Sequence, residues 1–561
     1  MPRPATKLLV KPLLVASLMV LRPFGSAGAL GPPALQQQPN PHETETLGSL
    51  RERIAAHLAQ PRFTSASWGV KVVSLESGKT IFEHNPQKYF NPASNAKLYT
   101  TALALERLGA DYRIKTSLYA TSRPETSGTL KGDVIVYGRG DPTMAARLNG
   151  GDYFKGLEPL VAQLVNAGIK RIDGDLVGDE SYFDGPPFGS GWEWDDLQAY
   201  YGAETSALTV DDNSLDVFVK PAERVGMPCR ITTGPPTAFV TFINRTQTAA
   251  KGTEARISVY RPVGENIIYV SGRLPIDNTN GYYSAVAVHN PAGLFVRLLK
   301  DALAQRGITI SGRTRVIDWK YREVTPMDFS KLIELGSVES MPLGDIVRET
   351  LKPSQNLYAQ LLLLQVGENS RFGVPAIAQV TNTEGSHSKG VASSPQSSNE
   401  PRIGTSESLG VDSLNDLLSR IGVRKGDVLL EEGSGLSRRD VITPEATVAL
   451  LIYMSKSRCA DAYKNALPIA GVDGTLQNRM KGTAAAGNVR AKTGSLRYVY
   501  TLSGYVTTSA GERLAFSIML NNYNAERPDT SASQGRGGSI SPRDDLDAIP
   551  IMLAGFTGRT Q

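Results

Sequence analysis

The sequence changes texture twice, and this limits what the chain can fold into. Up to about Ile114 it alternates helical periodicity with a hairpin pattern. From Ile114 to Glu323 it breaks into short β-like runs, such as "GDVIVYG" (132–138) and "NIIYVSGRL" (266–274), separated by Gly, Pro and Asp. After Glu323 helical periodicity returns, and long strand-like runs close the chain. Period-2 and period-3.6 segments grouped this way read as an α+β protein of several domains, with an inserted, mostly β region at 114–323. At 561 residues the chain is long enough for more than one core.

Composition narrows the function. The opening "MPRPATKLLVKPLLVASLMVLRPFGSAGAL" places Lys7 and Lys11 before an apolar run, and Ala27-Gly28-Ala29 fits a cleavage site. Residues 1–29 are therefore expected to be a secretory signal peptide and 30–45 a Gln/Pro-rich linker. No other long apolar stretch follows, so no transmembrane segment is expected in the mature chain. Of the net charge of +5, Arg3, Lys7, Lys11 and Arg22 supply four, leaving +1. The basic balance thus gives no support to nucleic-acid binding. Cys229 and Cys459 allow one bridge or two buried thiols. The five histidines are scattered and no Cys/His group has metal-ligand spacing, so neither a metal nor a cofactor is expected.

Within the outer segments, "LGSLRERIAAHLAQ" is a short amphipathic helix, and residues 67–92 read as a hairpin turning at Glu76-Ser77-Gly78. "NPASNAKLYTTALALERLGADY" (91–112) is a helix with the stripe Leu98, Ala102, Leu105, Leu108. One helix, "GLEPLVAQLVNAG", interrupts the β region. Residues 381–408 are rich in Ser, Gly and Asn and are expected to be a disordered excursion. The final strands are expected to turn at Ser509-Ala510-Gly511-Glu512.

Three short motifs occur in order. Ser94-Asn95-Ala96-Lys97 places a hydroxyl in the first turn of a helix, capped by Asn91 and opened by Pro92, with a lysine on the same face. The helix dipole favours an alkoxide-like nucleophile there, and a buried lysine can serve as its base. Ser354-Gln355-Asn356 sits at a break in a helical stretch, where side chains project into a cleft. Two similar triplets are poorer candidates: Ser397-Ser398-Asn399 lies in the excursion and Ser413-Leu414-Asn415 on an amphipathic helix. Lys492-Thr493-Gly494 opens the last strands. A cation and hydroxyl beside a glycine suit a peptide's terminal carboxylate, and the glycine lets substrate backbone approach.

The ordered set S-x-x-K, S-x-N and K-T-G resembles the penicillin-recognising serine enzymes. The long insert after the first motif, with "GRGDPT" (138–143), "GWEWDDLQAYYGA" (191–203), "GSGLSRRD" (433–440), "LPIAGVDGTLQNRM" (467–480) and "AKTGSLRYVYTLSGYV" (491–506), resembles the class C low-molecular-mass penicillin-binding proteins, the D-alanyl-D-alanine carboxypeptidase/endopeptidase family. The likeness covers roughly 45–560. It implies a catalytic domain from 46–113 and 324–561, with an antiparallel sheet flanked by helices, around an insert of two nested smaller domains. It implies acyl transfer by Ser94, with Lys97 as base, Ser354 and Lys492 passing a proton to the leaving amine, and Asn356 on the substrate amide. Lys492 and Thr493, beside Gly494, would bind the terminal carboxylate, and the N–H groups of Ser94 and Ser495 would form the oxyanion hole. Asp196, one residue from the similar Asp195, would meet the amine of diaminopimelate, and Arg438 its carboxylate; a structural ion pair is the other reading of these two. Arg497, two residues after Ser495, departs from some relatives. The expected partners are peptidoglycan stem peptides and β-lactam antibiotics, and the expected location is the periplasm, loosely associated with membrane or wall. A β-lactamase or esterase using the same residues, or a non-catalytic wall-binding protein keeping the fold, are the competing readings.

Overall fold

A five-stranded antiparallel sheet joins the two ends of the chain. Its order is Arg490–Leu496, Val499–Thr507, Arg513–Asn521, Ser67–Ser74, Thr80–His84. The computed structural model describes residues 45–371, 403–524 and 541–560. The expected signal peptide and all of the linker except Glu45 lie outside them. The expected hairpin forms around Gly78, whose positive φ of 70° suits glycine. Ser67–Ser74 then pairs with Arg513–Asn521 in the register Trp68–Leu520, Val70–Ile518, Val72–Phe516.

Ser67–Ser74 is buried along nearly its whole length, so it does not show the polar and apolar alternation of a half-exposed strand. The reason is that the sheet is covered on both faces. Trp68, Val70, Val72, Phe516 and Ile518 pack with Leu50 and Ile54 of the helix Leu47–Leu58 and with Ile549 and Leu553 of the helix Pro542–Gly555. Val73, Ala515 and Met519 face the opposite way, into the main helical core.

That second core is built around the helix Ala96–Leu108. The expected stripe is there, but every residue from Ala96 to Leu105 is buried, not one face alone. The helices Leu343–Leu351, Asn356–Arg371, Ser406–Arg420 and Ala460–Ala466 surround it. A helix enclosed in this way loses its polar face.

The β-textured region forms a mixed five-stranded sheet, in the order Thr314–Ile317, Leu176–Asp179, Val134–Tyr137, Lys115–Ala120, Ile333–Glu339, with several smaller sheets. The last strand lies beyond Glu323, so the sheet continues past the change in texture. Two further helices accompany the expected Glu158–Asn166: Pro291–Gln305 and the short Trp319–Val324. The first of these corrects the single-helix reading. Asn290 caps it by accepting from Gly293 N at 2.9 Å, and Pro291 opens it. Its Leu294, Leu298 and Leu299 fill a core with Leu118, Val136 and Leu176.

The expected excursion at 381–408 also needs correction at its described end. Ser406, Glu407 and Ser408 are the first turn of Ser406–Arg420, capped by Thr405 and anchored where Ser406 Oγ donates to buried Glu368. Residues 381–402 lie outside the described residues. Cys229 and Cys459 are both buried and unpaired, which selects the free-thiol alternative. Among the described residues no helix is long and apolar enough to cross a membrane.

Leu103 is fully buried in the central helix. Leu103→Ala should cost about 2–5 kcal/mol, read as a lower urea midpoint of unfolding. An unmoved midpoint would contradict the enclosure described here.

Candidate active site

Ser94 sits in a 3-10 turn, Ala93–Asn95, immediately before the α-helix, not in the helix's own first turn. Asn91 is not an α-helix cap. Its Oδ1 accepts from Ala93 N at 3.0 Å, and its Nδ2 donates to the carbonyls of Ser437, Arg438 and Asp440 at 3.2, 3.3 and 3.0 Å. Ala93 has φ of 45°, a left-handed conformation that is uncommon for a residue with a Cβ. The turn is therefore held by side-chain bonds to a distant loop.

Lys97 is fully buried. Its Nζ donates to Ser94 Oγ at 2.8 Å, to Asn356 Oδ1 at 2.6 Å and to the Ser434 carbonyl at 2.6 Å. Burial pushes its pKa down to about 7, against the opposing pull of the Glu432 carboxylate. When neutral, the amine can still donate to Asn356 and Ser434 and aim its lone pair at the Ser94 hydroxyl. That is the arrangement of a general base next to a nucleophile.

Ser354 occupies the break between Leu343–Leu351 and Asn356–Arg371 with φ of 67°. Lys492, fully buried on the edge strand Arg490–Leu496, donates to Ser354 Oγ at 2.7 Å and to its neighbour's carbonyl, Thr493 O, at 2.8 Å. Burial, then the charge of Lys97, holds the Lys492 amine well below the ordinary lysine value. Ser94, Lys97, Ser354, Asn356 and Lys492 are thus linked in two hydrogen-bonded groups.

The remaining expected site residues are placed less simply. Asn356 has both ends engaged, since its Nδ2 donates to Tyr201 O at 2.8 Å. Thr493 Oγ1 donates to Thr475 Oγ1 at 2.8 Å. At Gly494 an added Cβ would lie 2.6 Å from the Pro92 carbonyl, so the missing side chain makes room for the Ser94 turn. Ser495 is exposed on the same strand. Asp196 is half-buried with its carboxyl raised, first by burial, and it is hydrogen-bonded to Tyr201. Arg438 pairs with Glu193 at 3.6 Å and donates to Arg497 O at 3.0 Å. It does not form a direct ion pair with Asp196, although its charge lowers that carboxyl.

Sequence reading missed two buried acids. Glu432 is 1% exposed, and its carboxylate accepts from the backbone N–H groups of Ser434, Gly435, Leu436 and Ser437 at 2.7, 2.5, 2.9 and 3.4 Å. Asp440 is fully buried against it, with Oδ1 accepting from Glu431 N at 2.8 Å. Its Oδ2 has no partner unless it carries a proton toward Glu432. Burial and the Glu432 charge hold Asp440 far above the carboxylate range, which favours a proton on Asp440 facing Glu432. They shape the loop whose Ser434 carbonyl receives Lys97. The available signal was two acids flanking Gly433-Ser434-Gly435, a spacing equally suited to a solvated turn. Among the described residues no cluster of His, Cys, Asp and Glu could hold a metal.

A serine hydroxyl held by a buried lysine, with a second lysine and serine across the cleft, is an arrangement suited to serine acyl transfer. Comparison with known proteins makes this specific. The profile of the D-Ala-D-Ala carboxypeptidase 3 (S13) family matches residues 50–390 and 397–537. The D-alanyl-D-alanine carboxypeptidase of Actinomadura sp. (strain R39) is 33% identical over 527 residues, 91% of this chain and 86% of that protein. D-alanyl-D-alanine carboxypeptidase DacB of Haemophilus influenzae is 28% identical over 459 residues, 80% of this chain and 84% of that one. The crystal structure of penicillin binding protein 4 (dacB) from Haemophilus influenzae shares the fold at a TM-score of 0.68, with 24% identity, covering 91% of this chain and 98% of that one. The chain belongs to the D-Ala-D-Ala carboxypeptidase 3 (S13) family and is a serine-type DD-peptidase.

The groups facing Lys97 are Ser94, Asn356, the Ser434 carbonyl, the Glu432–Asp440 pair and, across the cleft, Lys492. A base must be neutral to work, so acylation should rise with pH through about 7, the value to which burial brings Lys97. The double variant Glu432→Gln/Asp440→Asn removes the one negative charge that favours the ammonium. Its acid limb should move to lower pH by about one unit, measured as the rate of penicillin acylation against pH. A limb that stays in place would show that this pair does not tune Lys97.

Proposed function

We propose that this chain is an exported DD-peptidase that cuts D-alanyl-D-alanine or D-alanyl-diaminopimelate bonds in peptidoglycan stem peptides, and that penicillins acylate it at the same serine. The contact of Lys97 Nζ with Ser94 Oγ at 2.8 Å carries this reading. Ser94 attacks the carbonyl of the penultimate D-alanine while Lys97 takes its proton. Ser354, supplied by Lys492, returns a proton to the leaving amine. The backbone N–H groups of Ser94 and Ser495 receive the oxyanion, where loss of one such donor typically costs about 3 kcal/mol. Lys492 and Thr493 hold the terminal carboxylate beside Gly494. Asn356 meets the substrate amide by exchanging one of its protein bonds. Water then hydrolyses the ester.

Asp196 and Arg438 belong to the same proposal as readers of the stem's diamino acid, its amine and its carboxylate. Their exposure supports this: Asp196 is half-buried and the Arg438 side chain is 32% exposed. The charged and apolar start of the chain supports export to the periplasm. Separate apolar cores support a catalytic domain from the outer segments around an inserted region. Carboxypeptidase and endopeptidase action share one acylation step and differ only in the leaving group.

Labelled penicillin should form a lasting adduct on Ser94, and a pentapeptide ending in D-Ala-D-Ala should lose its last residue. Ser94→Ala should abolish both. Absence of label on the intact protein would sink the proposal, and rapid loss of the label would favour a β-lactamase.

A further inference from the structure

A cleft of about 740 Å³ opens beside Ser354 and Asn356 and runs over the β-textured region. It is lined by Tyr153, Tyr200, Tyr201 and Tyr283, with Asp211 and Asp216 among them. None of these has a part in the chemistry described above except Tyr201, whose carbonyl holds Asn356.

The polar groups of this cleft are unevenly satisfied. Asp216 accepts from the hydroxyls of Tyr153 at 2.6 Å and Tyr283 at 2.7 Å. Asp211 is 8% exposed, and its Oδ1 accepts from Ala146 N at 2.8 Å. Its Oδ2 is buried with no partner. Arg147, the cation in the lining, is already taken by Asp212 at 2.9 Å and Glu349 at 2.8 Å. Asp212 is held in turn by the hydroxyl of Tyr358, two residues along the helix from Asn356, at 2.9 Å. The acidic wall is therefore fixed to the helix that carries Asn356.

An anion would find the cation of the lining, Arg147, already paired with Asp212 and Glu349. A neutral, apolar group would leave Asp211 Oδ2 unmet, at the usual cost of an unsatisfied buried acceptor. An ammonium group meets both requirements: it donates to the unpartnered Asp211 oxygen, and its charge is favoured beside Asp216. Burial pushes the Asp211 carboxyl up to about 8, so an arriving ammonium would also draw that group into its ionised form.

We propose that this cleft is a subsite for a primary ammonium group carried by the side chain of the leaving residue, received by Asp211 and Asp216 between the tyrosines. This rests on the DD-peptidase reading, in which the leaving amine departs past Ser354. It makes the β-textured region a reader of the leaving group through carboxylates other than Asp196, which adjoins the cleft through its hydrogen bond to Tyr201.

The test uses the full chain and two peptides identical up to the penultimate D-alanine, one ending in D-lysine and one in D-norleucine. The D-lysine peptide should be cut with a kcat/KM about tenfold higher. In Asp211→Asn, which keeps the acceptor for Ala146 N, that ratio should fall toward one. Asp216→Asn should lower it as well and carries the test if the first variant does not fold. Equal kcat/KM for the two peptides in the unaltered protein would overturn the subsite, as would an unchanged ratio in both variants, since Asp211 would then be a protonated structural acid. Failure of the DD-peptidase reading looks different: neither peptide is cut and Ser94 takes no penicillin label.

Discussion

A lysine with no access to water must have its ammonium hydrogens directed by the fold, and Lys97 has three acceptors for them. They come from the turn just before its own helix, from Asn356 at the start of another helix, and from the Ser434 carbonyl of a loop far along the chain. Burying an unpaired ammonium is prohibitive. The site therefore exists only when these segments have packed, and the dense core around Ala96–Leu105 is a condition of the chemistry. The same packing brings the lysine close to the pKa that a base needs near neutral pH.

A second buried lysine makes the charge balance tighter. Lys492 sits across from Lys97 and feels its charge, while the Glu432–Asp440 pair supplies one negative charge nearby. Two buried amines this close are strongly coupled, so protonation of Lys97 makes it easier for Lys492 to lose a proton. Its bond to Ser354 Oγ gives that proton somewhere to go. In the mechanism proposed above, a proton taken up by Lys97 on one side of the cleft would thus favour release of one from Lys492 on the other, which suits a reaction that must protonate a leaving amine.

The parts of this arrangement visible in the sequence were the local ones. Ser94 with Lys97, Ser354 with Asn356, and Lys492 with Thr493 and Gly494 each lie within three residues, and their order carried the meaning. What each side chain touches is long-range and was not visible. Gly494 read as room for substrate, and its missing Cβ also makes room for the Thr501 hydroxyl and the Pro92 carbonyl. Glu432 and Asp440 drew no reading in the sequence, because a charge in a sequence carries no record of burial. The stripe Leu98, Ala102, Leu105 marked one face of a helix that the fold encloses on all sides. Helix Pro291–Gln305 had a legible Asn-Pro start, but the β texture around it outweighed that signal.

The position of the long insert follows from how the chain leaves and re-enters the helical core. Just after the Ser94 helix, the carbonyls of Ala110, Tyr112 and Ile114 accept from the N–H groups of Gly344 at 2.8 Å, Leu343 at 2.8 Å and Ser340 at 2.9 Å. The outgoing and returning strands Lys115–Ala120 and Ile333–Glu339 then pair directly. The excursion is closed at its base by backbone hydrogen bonds, so more than two hundred residues can be added without opening the core between the helices. The closure also has a chemical consequence. It returns Tyr201 to the side chain of Asn356, and Asp212 and Pro142 to the hydroxyl of Tyr358, on the first turn of the same helix. The insert thereby fixes the orientation of the amide that accepts from Lys97, and the β-textured region becomes part of the support for that buried lysine.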